Sequence, residues 1–240
     1  MIGTIVNAAG ILLGGVVGLG RRRALPGTSE AFFKVALGAF TVFYGLRLAW
    51  MSLNGSFMQI LKQLLVTVLA LMAGKLAGRL LHLQKLSNRI GRRARERMVA
   101  ATPDNPHRAA EGFKTCAALF CAAPVGFLGA LQDGLSGYFY PLVVKGVIDG
   151  LATRGFVPLF GWGVILSVLP VVTFQGSITL LASQFLAPFL RAHNLLDSVN
   201  AAGGLLVFCV ALVILDIKKI ELADYLPSLA FAPLISWVWR

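Results

Sequence analysis

Acidic and basic side chains stand among apolar residues in the middle of the chain. Gln132 and Asp133 follow one long apolar run, and Lys145 and Asp149 lie within the next. A charged group is costly in apolar surroundings unless it is paired or hydrated. On a helix, Lys145 and Asp149 would share a face and could form an ion pair. These residues predict a polar pathway for a solute. The alternative is a hydrated outer loop at Asp133 and a purely structural pair.

Neutral polar side chains in or beside other apolar runs are candidate ligands of the same pathway. They are Asn7, Ser136, Thr173, Gln175 and Asn200. Amide and hydroxyl oxygens, together with a carbonyl freed by Pro170, could coordinate a dehydrated cation. They could equally satisfy backbone groups at a helix break or form hydrogen bonds between helices. Both interpretations stay open at this point.

Ser136 allows a third interpretation, because residues 134–137 have the form Gly-x-Ser-Gly. This form resembles the nucleophile motif of rhomboid intramembrane proteases. A serine nucleophile needs a histidine base within hydrogen-bond reach. His82, His107 and His193 all fall in loops or at helix ends, and the three cysteines show no metal-ligand spacing. We therefore expect no enzymatic activity, no cofactor and no metal site.

The elements that must position these residues are membrane helices. The chain has 240 residues, of which 57% are hydrophobic and 13% charged, with a mean hydropathy of +0.78. Apolar runs of about 18 residues indicate transmembrane helices. The main predicted segments are residues 2–20, 30–52, 57–81, 112–131, 142–152, 156–174 and 199–215. We predict an all-α, polytopic helical membrane protein with about seven transmembrane helices and one or two re-entrant or broken segments. Residues 1–240 would form a single integral membrane domain.

The basic residues indicate which ends of the helices face the cytoplasm. The net charge of +12 collects at helix ends and in one loop, which is the positive-inside pattern. That distribution argues against a nucleic-acid-binding surface. Arg21, Arg22 and Arg23 follow the first apolar run, whereas a cleaved signal peptide carries its charge before the run. The order places the N-terminus outside.

Residues 80–110 are the one clearly polar segment and would form a basic cytoplasmic loop. We predict a short amphipathic helix followed by a loop that contains Pro103. The basic face of the helix would lie against anionic lipid head groups. The arginines at this surface are Arg92, Arg93, Arg95 and Arg97.

The direction of the last long helix, residues 199–215, depends on residues 178–190. If 178–190 cross the membrane, the last helix runs outward, and Lys218 and Lys219 lie outside, against the charge rule. If 178–190 are re-entrant, the helix runs inward and both lysines face the cytoplasm. We predict the re-entrant arrangement, with residues 175–177 breaking the preceding helix.

Glycines recur at four-residue spacing in two of the helices. Gly10, Gly14 and Gly18 form one stripe, and Gly74 and Gly78 form a second. Small residues at this spacing allow another helix to approach closely. The stripes would suit a homodimer and would equally suit packing within one chain.

The pentapeptide Val-Asn-Ala-Ala-Gly occurs twice, at residues 6–10 and 199–203. In each copy the asparagine precedes a glycine face by one helical turn, so both amides lie beside a close-packing surface. The shared arrangement suggests a degenerate internal repeat. If both helices run inward, the repeat is parallel.

Several of these segments together resemble the YqgA-type family of bacterial inner-membrane proteins, a family of unknown function (DUF554). The resemblance covers nearly the whole chain. It rests on Gly3 to Asn7, Gly129 to Gly137, Lys145 to Gly150, Pro170 with Gln175 and Gly176, and Gly203, Gly204 and residues 217–220. The family often has an acidic residue where this chain has Tyr138. The resemblance implies a bacterial cytoplasmic membrane protein of a family described only as a candidate ion channel or pump.

The function expected from the sequence is a channel or secondary transporter for a small ion or solute, with a cation favoured. Asp133 and Asp149 would attract or carry the cation or a proton, and Lys145 would be the internal counter-ion of Asp149. The amides, including Gln132, would be neutral ligands or neighbours of the path. The alternative is a non-transporting membrane protein that binds lipid or docks a partner through residues 80–110.

Overall fold

A computed structural model describes residues 1–20, 26–102 and 105–239 of the chain. Helices dominate these residues, and no strand occurs in the described ranges. The helices are α1 (Ile2–Gly20), α2 (Gly27–Met51), α3 (Phe57–Leu80), α4 (Leu83–Ala100), α5 (Arg108–Ala122), α6 (Pro124–Ser136), α7 (Tyr140–Phe160), α8 (Val168–Leu181), α9 (Ala187–Ala192), α10 (Leu196–Ile214), α11 (Leu222–Tyr225) and α12 (Ser228–Val238). A 3-10 segment, Gly161–Ser167, precedes α8, and a π-helical segment, Ala182–Leu186, follows it. The all-α prediction is confirmed.

The chain divides into two compact units. Unit 1 comprises Met1–Gly27, Leu86–Asp133 and Gly137–Leu180; unit 2 comprises Thr28–Lys85, Gly134–Ser136 and Leu181–Arg240. Two features that carry topological predictions, the arginines at 21–23 and Pro103, lie outside the described residues.

In unit 1, α1 and α7 pack side by side and run in the same direction. Gly10 faces Gly146, and one turn later Gly14 faces Gly150. A Cβ added at Gly10 or Gly14 would overlap the carbonyl group of the facing glycine. Both helices carry glycine at four-residue spacing, so their backbones approach as small-residue pairs of membrane helices do. Farther along, Gly18 faces the turn that begins at residue 154, so the parallel contact continues along both helices.

The chain reverses direction at Gly161, where α7 ends. The φ angle of Gly161 is 73°, a conformation that is strained for residues with a Cβ. After the turn, Ile165 packs against Gly15 and Gln175 reaches Asn7, so α8 runs back along α1. The segments before and after Gly161 are therefore two separate crossings of unit 1.

Helices α5 and α6 form one element with a sharp bend of 58°, and this element belongs to unit 1 up to Asp133. Ala123 between them is extended, and Pro124 occupies the first turn of α6, where its missing N–H costs no hydrogen bond. Near the end of α6, Gly129 contacts Leu142 at the start of α7, and the start of α5 contacts the turn after α7. The pair therefore runs antiparallel to α7. The prediction of one unbroken helix over residues 112–131 is wrong.

Five helical segments of the described residues are long and apolar enough to cross a membrane, and the bent pair α5 and α6 is a candidate sixth. They are α1, α2, α3, Tyr140–Ala192 and α10. Tyr140–Ala192 has 53 residues and would measure about 80 Å, more than twice the ~30 Å hydrocarbon core. Its reversal at Gly161 divides it into two crossings, which accords with the polytopic architecture expected from the sequence.

The second half of the chain differs from its prediction in three places. Residues 142–152 are not a short separate segment, because α7 continues beyond them for two further turns. Residues 175–177 do not break a helix, because they lie within α8. Pro170 does not break it either, because it lies in the first turn of α8 and removes no bond from the middle of the helix. Residues 178–190 continue the same helical run and form no separate re-entrant segment.

Unit 2 contains α2, α3 and the C-terminal helices. Helix α10 runs antiparallel to α2, because Gly38 faces Leu215 whereas Gly45, farther along α2, faces Phe208. Helix α12 packs on α3 at Gly74, where an added Cβ would overlap the backbone of α12. Small residues thus set the close helix contacts in both units.

Helix α4 begins three residues after α3 ends, and the left-handed residue His82, with φ of 57°, makes the turn between them. Asp224 Oδ1 accepts the backbone N–H of Gln84 over 2.8 Å at the first turn of α4. Ala94 is the buried residue of α4, and the basic side chains lie on its exposed surface. The predicted amphipathic helix within residues 80–110 is present as α4.

Candidate functional site

Lys145 and Asp149 form a buried ion pair on α7. Their side chains are 3% and 7% exposed. They lie about 8 and 14 Å along a helix about 31 Å long. Both ions have lost nearly all contact with water at this depth, so each depends on the other for charge compensation.

Asn7 on α1 and Gln175 on α8 meet beside this pair. Asn7 Nδ2 donates a hydrogen bond of 3.1 Å to Gln175 Oε1, and the Asn7 side chain also interacts with the Asp149 carboxylate. Asn7 and Gln175 are fully buried. Asn7 is brought here by the glycine contacts between α1 and α7, and Gln175 by the reversal of the chain at Gly161. We refer to Asn7, Lys145, Asp149 and Gln175 as the polar cluster.

Gly126, just past the bend between α5 and α6, forms a wall of the polar cluster. A Cβ added at Gly126 would lie 2.8 Å from Lys145 Cε and 3.3 Å from Gln175 Nε2. Lys145 Nζ lies 5.7 Å from the centroid of the Phe120 ring, within the range of a cation–π interaction. The missing side chain at Gly126 therefore makes room for the lysine.

Two atoms of the polar cluster have no hydrogen-bond partner among the described residues. They are Asn7 Oδ1, an acceptor, and Gln175 Nε2, a donor. Buried polar atoms are ordinarily paired, and leaving one unpaired costs about 1–3 kcal/mol. The cluster therefore has coordinating capacity beyond its internal bonds.

Asp133 is held elsewhere in unit 1, at the start of α1. Its Oδ2 accepts the backbone N–H of Gly3 over 3.0 Å and lies 3.2 Å from the nitrogen of Met1. A carboxylate in this position stabilises a helix N-terminus, because it binds a free N–H and opposes the helix dipole. The alternative of a hydrated loop at Asp133 is wrong, because the carboxylate is buried in the last turn of α6.

The remaining predicted pathway residues are not part of the polar cluster. Thr173 is exposed, and its hydroxyl donates to the carbonyl of Leu169 over 3.0 Å. Gln132 is buried on α6 beside Asp133. Ser136 and Asn200 belong to unit 2.

Three glycines that were not predicted as packing or site residues contribute to the site. Gly146 and Gly150 carry the contact with the stripe on α1, and Gly126 accommodates Lys145. The four-residue spacing of Gly146 and Gly150 is a signal that could have been found. The predicted packing glycines make close contacts within the chain. They are Gly10, Gly14 and Gly18, facing α7 and its end, and Gly74 and Gly78, facing Ser228 and Asp224.

The four arginines of the predicted lipid surface are all exposed on α4. Arg92 and Arg95 line a cavity beside α5, whereas Arg93 and Arg97 are not among its lining residues. The four arginines therefore fall into two pairs, one that lines the cavity and one that does not.

The model of a family described as "Protein of unknown function (DUF554)" matches residues 2–237. The chain belongs to the DUF554 family. It is 26% identical over 238 residues to the uncharacterized membrane protein YdfK of Bacillus subtilis (strain 168), covering 99% of this chain and 96% of the relative. It is also 26% identical over 240 residues to the uncharacterized protein YqgA of Escherichia coli (strain K12), covering 100% and 97%. No solved structure matches the chain.

The resemblance to DUF554 expected from the sequence is confirmed, and two of its segments carry buried charged groups. In this DUF554 protein, residues 129–137 end α6 and supply the carboxylate at the start of α1. Residues 145–150 supply the ion pair and the glycine contact with α1. A carboxylate with a lysine counter-ion and two partly bonded amides is a set of groups that can bind a small cation or a proton. The apolar helices and the name of one relative support a membrane location.

Proposed function

We propose that this DUF554 protein is a channel or secondary transporter for a small cation and that the polar cluster is its transport site. The observation that carries the proposal is the Lys145–Asp149 pair, buried in the first half of an apolar helix. Replacing a buried ion pair by apolar residues is often neutral or stabilising, so fold stability alone does not account for the pair. Ionisable residues inside membrane helices commonly mark ion and proton pathways.

Asp149 would bind the cation or proton, and Lys145 would be its counter-ion in the unloaded state. A cation that reaches Asp149 displaces the lysine ammonium, so the carboxylate is never left uncompensated. The Phe120 ring, 5.7 Å from Lys145 Nζ, can hold the ammonium when it leaves the carboxylate. Transport would thus be an exchange of two cations at one carboxylate.

The amides and the bend between α5 and α6 would complete the coordination. Asn7 Oδ1 is a buried acceptor with no partner among the described residues. Discontinuous helices let transporters present backbone carbonyls to an ion, because the last turn of the first half has no intrahelical partners. The bend at Ala123 lies one turn before Gly126, which contacts Lys145. Transport of this kind requires neither a catalytic residue nor a cofactor.

We infer a bacterial cytoplasmic membrane location, with the N-terminus outside and α4 at the cytoplasmic side. If α1 runs inward, the parallel helix α7 also runs inward. If α2 returns outward, the antiparallel helix α10 runs inward, and Lys218 and Lys219 follow its cytoplasmic end, as the positive-inside rule requires. This arrangement needs no re-entrant segment at residues 178–190.

Cation flux in proteoliposomes tests the proposal, with Na⁺, K⁺ and H⁺ measured separately. The test variant is Lys145→Gln with Asp149→Asn, which removes both charges and leaves no unpaired ion. The matched control is Lys34→Gln with Asp216→Asn, because Lys34 and Asp216 form an exposed ion pair in unit 2. We expect flux of at least one cation in the native protein, a loss of about tenfold or more in the test variant, and unchanged flux in the control.

Two results would contradict the proposal. One is the absence of flux above empty liposomes when the native protein is folded and inserted. The other is equal flux in the native protein and in the variant that lacks both charges of the polar cluster.

A further inference from the structure

A cavity of about 580 Å³ opens between α4 and the bend of α5 and α6, within unit 1. Its two walls differ in chemistry. The α4 wall is polar and basic and includes Asn88, Gly91, Arg92 and Arg95. The opposite wall is apolar and includes Leu119 and Ala122. The volume is in the range of small-molecule sites and is far larger than a single inorganic anion needs.

The two arginines give the cavity its electrostatic character. Arg92 and Arg95 are three residues apart, so they share a face of α4 and bring two positive charges close together. In the part of the chain that the structure describes, neither forms an ion pair. A guanidinium group presents planar pairs of N–H donors that match the oxygens of a phosphate group. The charge and the donor geometry therefore favour a phosphate-bearing anion.

The order of the helices favours a membrane lipid as the source of that phosphate. Helix α3, a candidate membrane helix, ends at Leu80, and α4 begins at Leu83. Helix α4 therefore starts where the chain leaves the hydrocarbon region, near the level of lipid phosphates, and Arg92 and Arg95 lie in its second half. The long stems of arginine can follow apolar surface while their charged ends remain at that level. An apolar wall beside a phosphate site suits the glycerol and acyl part of a phospholipid.

We propose that this cavity binds the head group of an anionic phospholipid, with Arg92 and Arg95 on its phosphate and the α5 wall against its apolar part. The site is distinct from the polar cluster and does not depend on a transport function. It also differs from a diffuse attraction of α4 to a charged surface, because only some of the basic residues of α4 take part. Arg89 and Arg93 are exposed on the same helix but are not among the cavity-lining residues.

The test measures lipid binding to the full-length protein in neutral detergent by native mass spectrometry. The probes are dioleoyl phosphatidylglycerol, dioleoyl phosphatidylcholine and inorganic phosphate. The site variant is Arg92→Gln with Arg95→Gln, and its matched control is Arg89→Gln with Arg93→Gln, which removes the same charge from the same helix. Gly91→Leu is a third variant. A Cβ at Gly91 meets no heavy atom within 4 Å, so the new side chain can fill the cavity without changing the charge.

We expect phosphatidylglycerol to bind about tenfold or more tightly than phosphatidylcholine. That preference should be lost in the site variant and in Gly91→Leu, and the Arg89 and Arg93 control should keep it within about twofold. Inorganic phosphate should not displace the lipid at equal concentration.

Several results would overturn the proposal. Equal losses in the two arginine variants would mean diffuse electrostatic attraction, and full displacement by inorganic phosphate would mean a site for the free anion. No preference for phosphatidylglycerol, or unchanged binding in Gly91→Leu, would mean that the cavity holds no anionic lipid. If the site variant fails to fold, Gly91→Leu and the phosphate competition still decide between these outcomes.

Discussion

Asn7 and Asn200 occupy the same position in the repeated pentapeptide, yet their surroundings differ. Helix α1, which carries Asn7, packs parallel to α7, and the amide contacts Gln175 and the ion pair. Helix α10, which carries Asn200, packs antiparallel to α2, and its other buried residues are apolar or glycine. The pentapeptide encodes a close-packing helix face in both units, and the partner helix decides whether the asparagine enters a polar site.

The two units also place their charged pairs differently. Unit 1 holds Lys145 and Asp149 inside an apolar helix, where each ion has lost its hydration. Unit 2 holds Lys34 and Asp216 at a surface, with side chains 41% and 77% exposed. A surface pair contributes little to stability, and removing one partner leaves the other in water. This difference supports the proposal that places the transport site in unit 1.

The largest effect on folding is expected at the parallel contact of unit 1. Gly14→Leu should prevent folding or lower the free energy of unfolding by more than about 4 kcal/mol, because the new Cβ overlaps the carbonyl of Gly150. Gly20→Leu, at the end of the same helix, should cost less than about 1 kcal/mol, since a Cβ there meets no atom within 4 Å. Folded yield and thermal unfolding in detergent measure both. Equal tolerance of the two changes would refute the α1–α7 packing.

A smaller effect on the free energy of unfolding is expected when the ion pair is broken. Lys145→Met should cost about 3–5 kcal/mol, because it leaves Asp149 buried and uncompensated. Adding Asp149→Leu should recover most of that loss. In unit 2, Lys34→Met should change stability by less than about 1 kcal/mol. Thermal unfolding of the four proteins, native included, compares these costs. A double variant as unstable as Lys145→Met would show that the pair is not held by mutual compensation.

The smallest of these effects is expected at the two asparagines. Asn7→Leu removes the hydrogen bond to Gln175 and should lower stability by about 1–2 kcal/mol. Asn200→Leu should cost less than Asn7→Leu, because Asn200 Oδ1 has no partner among the described residues. Equal costs in thermal unfolding would mean that the two copies of the pentapeptide make equivalent interactions, and the contrast between the units would fail.

The long helices could be predicted from the sequence because apolar runs end at charges, glycines or turns. The predicted bounds of the first helix, residues 2–20, are those of α1. The bend at Ala123 was missed because Pro124 lies in a uniformly apolar run, and hydropathy does not distinguish a bent helix from a straight one. Helix α7 was predicted too short because the apolar run ends at residue 152, although the helix continues to Phe160 and Arg154 lies within it against Gly18.

Only the contacts of the candidate site that lie within one helix could be predicted from the sequence. The pairing of Lys145 with Asp149 follows from helical spacing within one element. The contact of Asn7 with Gln175 joins residues 168 positions apart, and that of Gly3 with Asp133 joins residues 130 apart. Periodicity within a helix shows which face is buried but not which helix covers it. That limit explains why Asp133 was expected in the pathway rather than at the start of α1.

The most direct test of a transport site at Asp149 is the cation concentration at which flux is half-maximal. Asp149→Glu keeps the charge but moves the carboxylate by one methylene, and Asp224→Glu does the same to a buried carboxylate of unit 2. We predict that Asp149→Glu retains flux with a half-maximal concentration changed by about tenfold, and that Asp224→Glu leaves this concentration unchanged. An unchanged value in a folded, active Asp149→Glu protein would contradict the assignment of Asp149 as the cation ligand.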